Sequence, residues 1–166
     1  MTVSGTITID APPSVVFDIV ADPRQHGRID GSGTVKDTVT GPDRLTMDAQ
    51  FSTNMRQGVP YTMKNTVVEF EPDRLIAWRH LGPHRWRYEL EPVGEGSTKV
   101  TETWDDSAYP GFARELHVES AGLAGVVALL GAGLAAQTLV HAFGDVGGPL
   151  GVAALPVGLG LRHDRV

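Results

Sequence analysis

Glu102 stands in the run Ser97-Thr98-Lys99-Val100-Thr101-Glu102-Thr103-Trp104. Read as a strand, this run puts Glu102 on the same side as Val100 and Trp104. A carboxylate on an apolar face is costly to desolvate, and its pKa rises unless a partner holds it. His80 and Asn65 fall on neighbouring runs and are its candidate partners. A Glu102–His80 pair enclosed among apolar side chains has the makings of a general acid/base couple, so these two are the candidate catalytic residues. The plainer arrangement leaves Glu102 at a sheet edge, ion-paired in water with Arg85 or Arg87.

Other chemistries find less support. The chain has no cysteine, which removes disulfides, thiolate metal sites and cysteine nucleophiles. His80 and His84 are four apart, but Gly82-Pro83 between them makes a turn rather than a helix face. No HExxH, GxSxG, Walker or dinucleotide loop occurs, so neither a metal nor a cofactor is expected. A net charge of −6 argues against tracking nucleic-acid phosphates, although Arg79, Arg85 and Arg87 cluster locally. The opening MTVSGTITIDAPP lacks the basic-then-apolar order of a signal peptide, which makes the cytoplasm the expected location.

The elements that must position Glu102 are legible from periodicity and punctuation. Residues 2–10 alternate as a strand, and Pro12-Pro13 opens a short helix that carries Val16, Ile19 and Val20. Asp22-Pro23 ends it. A second short helix is expected over 23–29, stopped by Asp30-Gly31. Turn signals then divide 33–40, 44–53, 59–70, 74–81, 84–92 and 98–106 into short strands. Connections this brief permit hairpins only, so the sheet is an antiparallel meander. Residues 110–143 read as helical, and 146–161 as an apolar tail rich in Gly and Pro.

This order of elements, with ITIDAPPSVVFDIVADPRQHGRIDG near the start and RLIAWRH, RWRYELEP and STKVTETWD later, resembles the START-like, Bet v 1-like superfamily of polyketide cyclase/dehydrase and lipid-transport proteins (SRPBCC) over about residues 3–112. The resemblance implies an α+β helix-grip fold. In it a curved antiparallel sheet of about six or seven strands carries two short helices after its first strand, and a long C-terminal helix closes a cavity. The domain is expected over 1–145, with 146–166 as its tail. The implied function is binding or carriage of a small hydrophobic molecule such as a lipid or polyketide. The alternative is a cyclase or dehydratase that uses acid/base residues in the same cavity. Ile29 departs from the pattern, standing where such proteins often carry Trp before Asp-Gly.

Strand parity nominates the cavity wall. The charged set Arg85, Arg87, Glu89 and Glu91 belongs in water, which turns Trp86, Tyr88 and Leu90 inward. The same reasoning turns Trp78 and His80 inward from 74–81, and Trp104 from 98–106, where Val100 is expected to meet Leu90. From 59–70 it selects Tyr61, Met63 and Asn65 with Val67, subject to any one-residue bulge. Arg24, His26, Arg28 and Asp30 belong to the second short helix and its exit, at the expected mouth.

Residues 121–143 carry no formal charge. At 1.5 Å rise they extend about 34 Å, enough for a bilayer core of ~30 Å. Their many Gly and Ala residues, Gln137 and His141 weaken that reading. Leu123, Val127 and Leu130 lie in one bulky stripe, expected to close the cavity. A small-residue face beside it suits a second copy of the helix, which makes a homodimer the expected protein partner. A membrane span, or a C-terminus altered relative to the family, are the remaining readings of this segment.

Overall fold

The computed structural model describes residues 2–30, 33–80 and 84–105, together with Gly82 and Ser107. The expected closing helix, its Leu123, Val127 and Leu130, the homodimer face and the 146–166 tail lie outside the described residues. Among the described residues, no helix is long and apolar enough to cross a membrane.

Strand β1 (Thr2–Ile9) leads into helix α1 (Pro13–Val20), a 3-10 turn (Pro23–Gln25) and helix α2 (His26–Ile29). Six strands follow: β2 (Val35–Thr40), β3 (Gln50–Gln57), β4 (Val59–Glu71), β5 (Leu75–Arg79), β6 (Arg85–Val93) and β7 (Ser97–Asp105). They form one antiparallel sheet in the order β1-β7-β6-β5-β4-β3-β2. The hairpin connections expected from the turn signals are therefore all present. The first strand joins the last, with Thr2 opposite Asp105 and Ile9 opposite Thr98.

Helix α1 begins on Pro13, whose fixed φ suits the first helical position. Its Val16, Phe17 and Val20 are fully buried and join Ile9, Ile76, Leu90 and Val100 in the core. The expected second helix is split. Asp22 accepts a hydrogen bond from the Arg24 backbone N–H at 3.0 Å, holding Pro23–Gln25 in a tight turn before α2 begins. Gly27 of α2 lies against β2, and a Cβ there would come within 2.2 Å of the Lys36 carbonyl oxygen. Only glycine allows that crossing.

The strand expected over 44–53 starts later, at Gln50. Leu45 is drawn out of the sheet: its N–H donates to the Ala21 carbonyl at 2.7 Å, and its side chain is fully buried. Asp48 then takes a positive φ of 61°, and Ala49 N–H closes a turn onto Thr46. β4 contains the bulge that parity reasoning cannot see. Val67 pairs with Trp78, but Glu69 pairs with Ala77, so Phe70 and not Glu69 shares a face with Ile76.

Candidate functional site

The face of the sheet that carries the core is built from register rows. One row runs Val67, Trp78, Trp86, Trp104 across β4 to β7. The next runs Phe70, Ile76, Tyr88, Glu102. Trp78, Tyr88, Glu102 and Trp104 are buried, and Trp86 is half-buried against them. Along β4, enclosure fades toward the hairpin: Val67 and Asn65 are buried, Met63 is half-buried, and Tyr61 is exposed. Tyr61 is thus not enclosed in the wall where its parity placed it, because β3 and β4 run on beyond the core.

Glu102 is paired, but with neither of the partners expected from sequence. Tyr88, directly opposite on β6, donates its hydroxyl to Glu102 Oε1 at 2.6 Å. Arg85 and Arg87 lie on the other face and bind Glu69, at 2.6 and 3.1 Å, with Arg87 also reaching Glu89. The edge ion pair is therefore excluded. His80 is displaced from Glu102 by two strands and four residues along them. With strands ~4.8 Å apart and ~3.3 Å rise, that is roughly 16 Å between Cα atoms, too far for an acid/base pair. The signal for the true partner was present in the sequence, since Leu90 opposite Val100 puts Tyr88 opposite Glu102 two residues along.

Burial dominates the electrostatics of this dyad. Desolvation raises the Glu102 pKa from 4.5 to about 7, opposed by the Tyr88 hydrogen bond and helped by the negative charge of Asp30. Burial likewise pushes the Tyr88 hydroxyl well above its ordinary value, so it stays a donor. With Oε1 occupied by Tyr88, the proton of the neutral acid resides on Oε2. Among the described residues, enclosed Oε2 has no hydrogen-bond partner.

An aromatic stack supports Tyr88 from behind. The His26 ring lies on Trp78 at 4.7 Å and 18°, and Trp78 lies on Tyr88 at 5.4 Å and 25°. Phe51 meets both His26 and Trp78 edge-on. His26, expected at the mouth, is instead buried, and its Nε2 bonds the Val20 carbonyl at 2.9 Å. Burial lowers its pKa, which keeps the imidazole neutral. A lone histidine among Arg24, Arg28 and Asp30 gives no sequence sign of this turn inward. Arg24 is exposed and bridges Asp22 and Asp43, while Asp30 accepts from the Val35 N–H at 2.8 Å.

His80 and Asn65 occupy the outer end of the same face. Burial, reinforced by nearby His84, pushes the His80 pKa down to about 4. His84 lies 5.3 Å from His80 and 5.9 Å from Trp104, ring to ring. Among the described residues, no group of three or more His, Cys, Asp or Glu side chains is arranged to hold a metal ion.

Comparison with known proteins agrees with this architecture. The chain is 42% identical over 104 residues to an uncharacterised protein of Mycobacterium tuberculosis strain H37Rv, covering 62% of this chain and 46% of that one. A counterpart from strain CDC 1551 is 41% identical over the same length. The chain thus spans about half the length of the curated relatives it matches. A crystal structure of a Mycobacterium smegmatis protein superposes with a TM-score of 0.63 at 18% identity, covering 88% of this chain and 92% of that one. A Nitrosomonas europaea protein gives 0.61 at 16%, covering 87% and 95%. Both share the fold. The family profile described as polyketide cyclase / dehydrase and lipid transport matches residues 1–136, farther into the apolar C-terminal stretch than the sequence motifs reach. With this sheet, these helices and that match over most of its length, the chain belongs to the polyketide cyclase/dehydrase and lipid-transport family.

Proposed function

We propose that this protein binds a small, largely apolar molecule against the tryptophan-lined face of its sheet and anchors it on Glu102. One observation carries the reading: among the described residues, Oε2 of Glu102 is enclosed and has no partner while Tyr88 holds Oε1. An enclosed acid with an unused O–H is unfavourable in a filled core. A ligand carbonyl or ether oxygen that accepts from Oε2–H removes that cost. The surrounding Trp78, Trp86 and Trp104 supply apolar area around a single polar contact, the usual make-up of a small-molecule site.

Glu102→Gln keeps a donor at this position and should leave ligand affinity within a few fold. Glu102→Leu removes the donor and should weaken binding about tenfold or more. The test begins with native mass spectrometry of the purified protein to find a lipid-sized adduct, then compares its retention in both variants. Equal retention in Glu102→Leu would remove Glu102 from the site.

A cyclase or dehydratase is the second reading, favoured by an acid poised near neutrality at about 7. In that case the reacting pair is Tyr88–Glu102 rather than His80–Glu102. The carboxylate form of Glu102 would take the α-carbon proton of a β-hydroxy carbonyl compound on Oε2 and return it to the departing hydroxyl, which leaves as water as the C=C bond forms, while Tyr88 holds Oε1. Glu102→Gln then lowers turnover by ~10²-fold while binding persists.

A further inference from the structure

Among the described residues, two polar atoms on the same face lack partners at the end remote from Glu102. Thr66 pairs with Arg79, and the next residues outward are Asn65 on β4 and His80, which directly follows the end of β5. Asn65 is only 3% exposed, and its Nδ2 donates to the Met63 carbonyl at 3.3 Å. That bond orients the amide and leaves Oδ1 enclosed with no partner among the described residues. Nδ1 of His80 is enclosed and unpartnered in the same way. Val67, Trp78 and Trp86 lie between this pair and the Tyr88–Glu102 row.

With the His80 proton on Nδ1, the two atoms differ in what they need. The amide oxygen accepts only. Neutral imidazole with its proton on Nδ1 donates. A hydroxyl satisfies both at once, giving its proton to Asn65 Oδ1 and accepting from His80 Nδ1–H. A carbonyl or an ether serves one of them and leaves the other unpaired, which is unfavourable in an enclosed site.

We propose that Asn65 and His80 form a hydroxyl-recognition subsite, so that the molecule bound against the tryptophans carries a hydroxyl at the end opposite Glu102. This rests on the binding role proposed above. It specifies an elongated, ring-containing or polyene molecule with an oxygen at each end. The body between those oxygens lies along the tryptophan row.

Three rigid probes separate the possibilities: para,para′-dihydroxystilbene, para-hydroxystilbene and unsubstituted stilbene. All three tryptophans of the chain lie on this face, so energy transfer from them reports binding directly. The diol should bind about tenfold or more tighter than the mono-hydroxy compound. Asn65→Leu should reduce that advantage to about twofold or less and leave the binding of unsubstituted stilbene unaffected. His80→Leu should act in the same direction, and near-native tryptophan emission of each variant confirms that it is folded. Equal affinity of diol and mono-hydroxy compound for the unmodified protein, which is the result if buried water serves both atoms, overturns the hydroxyl subsite alone. An advantage that survives Asn65→Leu and His80→Leu does the same. Failure of all three stilbenes to bind overturns the apolar site and this subsite together.

Discussion

Glu102 and His80 are both buried titratable groups, and their effects on stability oppose each other. The Glu102 pKa is raised from 4.5 to about 7, so the folded state holds its proton more tightly than the unfolded chain. Below about 4.5 both states are protonated and there is no penalty. Stability falls as pH rises toward about 7, by on the order of 3 kcal/mol for an isolated group. His80 is depressed from 6.5 to about 4, so its folded form resists protonation and stability falls as pH drops through that window. Between these limits the two slopes partly cancel. Glu102→Gln removes one of them. Urea denaturation of that variant should show higher stability than the unmodified protein above neutrality and a steeper loss on acidification. Parallel pH profiles for the two proteins would show that Glu102 is not the buried acid described here.

Two local departures from regular geometry shape the site at the scale of elements. The bulge between Val67 and Glu69 lets β4 turn buried Val67 and half-buried Phe70 to one face while Glu69 serves Arg85 and Arg87 on the other. Strict alternation would send either Phe70 to water or Glu69 to the core. The segment before β3 is fixed by Leu45, fully buried and hydrogen-bonded through its backbone to the end of α1. Leu45→Ala should cost about 2–4 kcal/mol by leaving a cavity there. It should also loosen α2, because His26 hangs from the Val20 carbonyl of the same helix. Chemical denaturation measures the first effect. The second appears as altered tryptophan emission, since His26 stacks on Trp78. A loss below about 0.5 kcal/mol would mean that Leu45 is not a packed core residue.

Across the whole sheet, the two edges are unequal. β1 pairs with β7 through eight consecutive residues, whereas β2 meets β3 through three pairs separated by register shifts. Pairing β1 with β7 joins the first and last of these strands in sequence and holds Glu102 in an interior strand, flanked by β1 and β6. Hydrogen exchange should therefore find β1 amides protected about tenfold or more beyond those of β2. Equal protection of the two edges would contradict this asymmetry. The sheet also explains why all three tryptophans report on one surface: they occupy one register row of three adjacent strands.

Local chemistry in the sequence determined much of this. Alternation and Pro/Gly punctuation located β1, α1 and the meander, because strand period and turn residues act within a few positions of themselves. Parity put Trp78, Tyr88, Asn65, Glu102 and Trp104 on a common face. Tertiary structure decided which of them meet, although the Leu90–Val100 register expected from sequence already put Tyr88 opposite Glu102. The separation of His80 from Glu102 depends on counting rows across three strands, and the inward turn of His26 depends on α1 and Trp78 together. The raised pKa of Glu102 also belongs to the folded state, since it arises from desolvation by residues distant in the chain. Sequence spacing determines which side of a strand a group takes, whereas register across strands determines its partner and its charge.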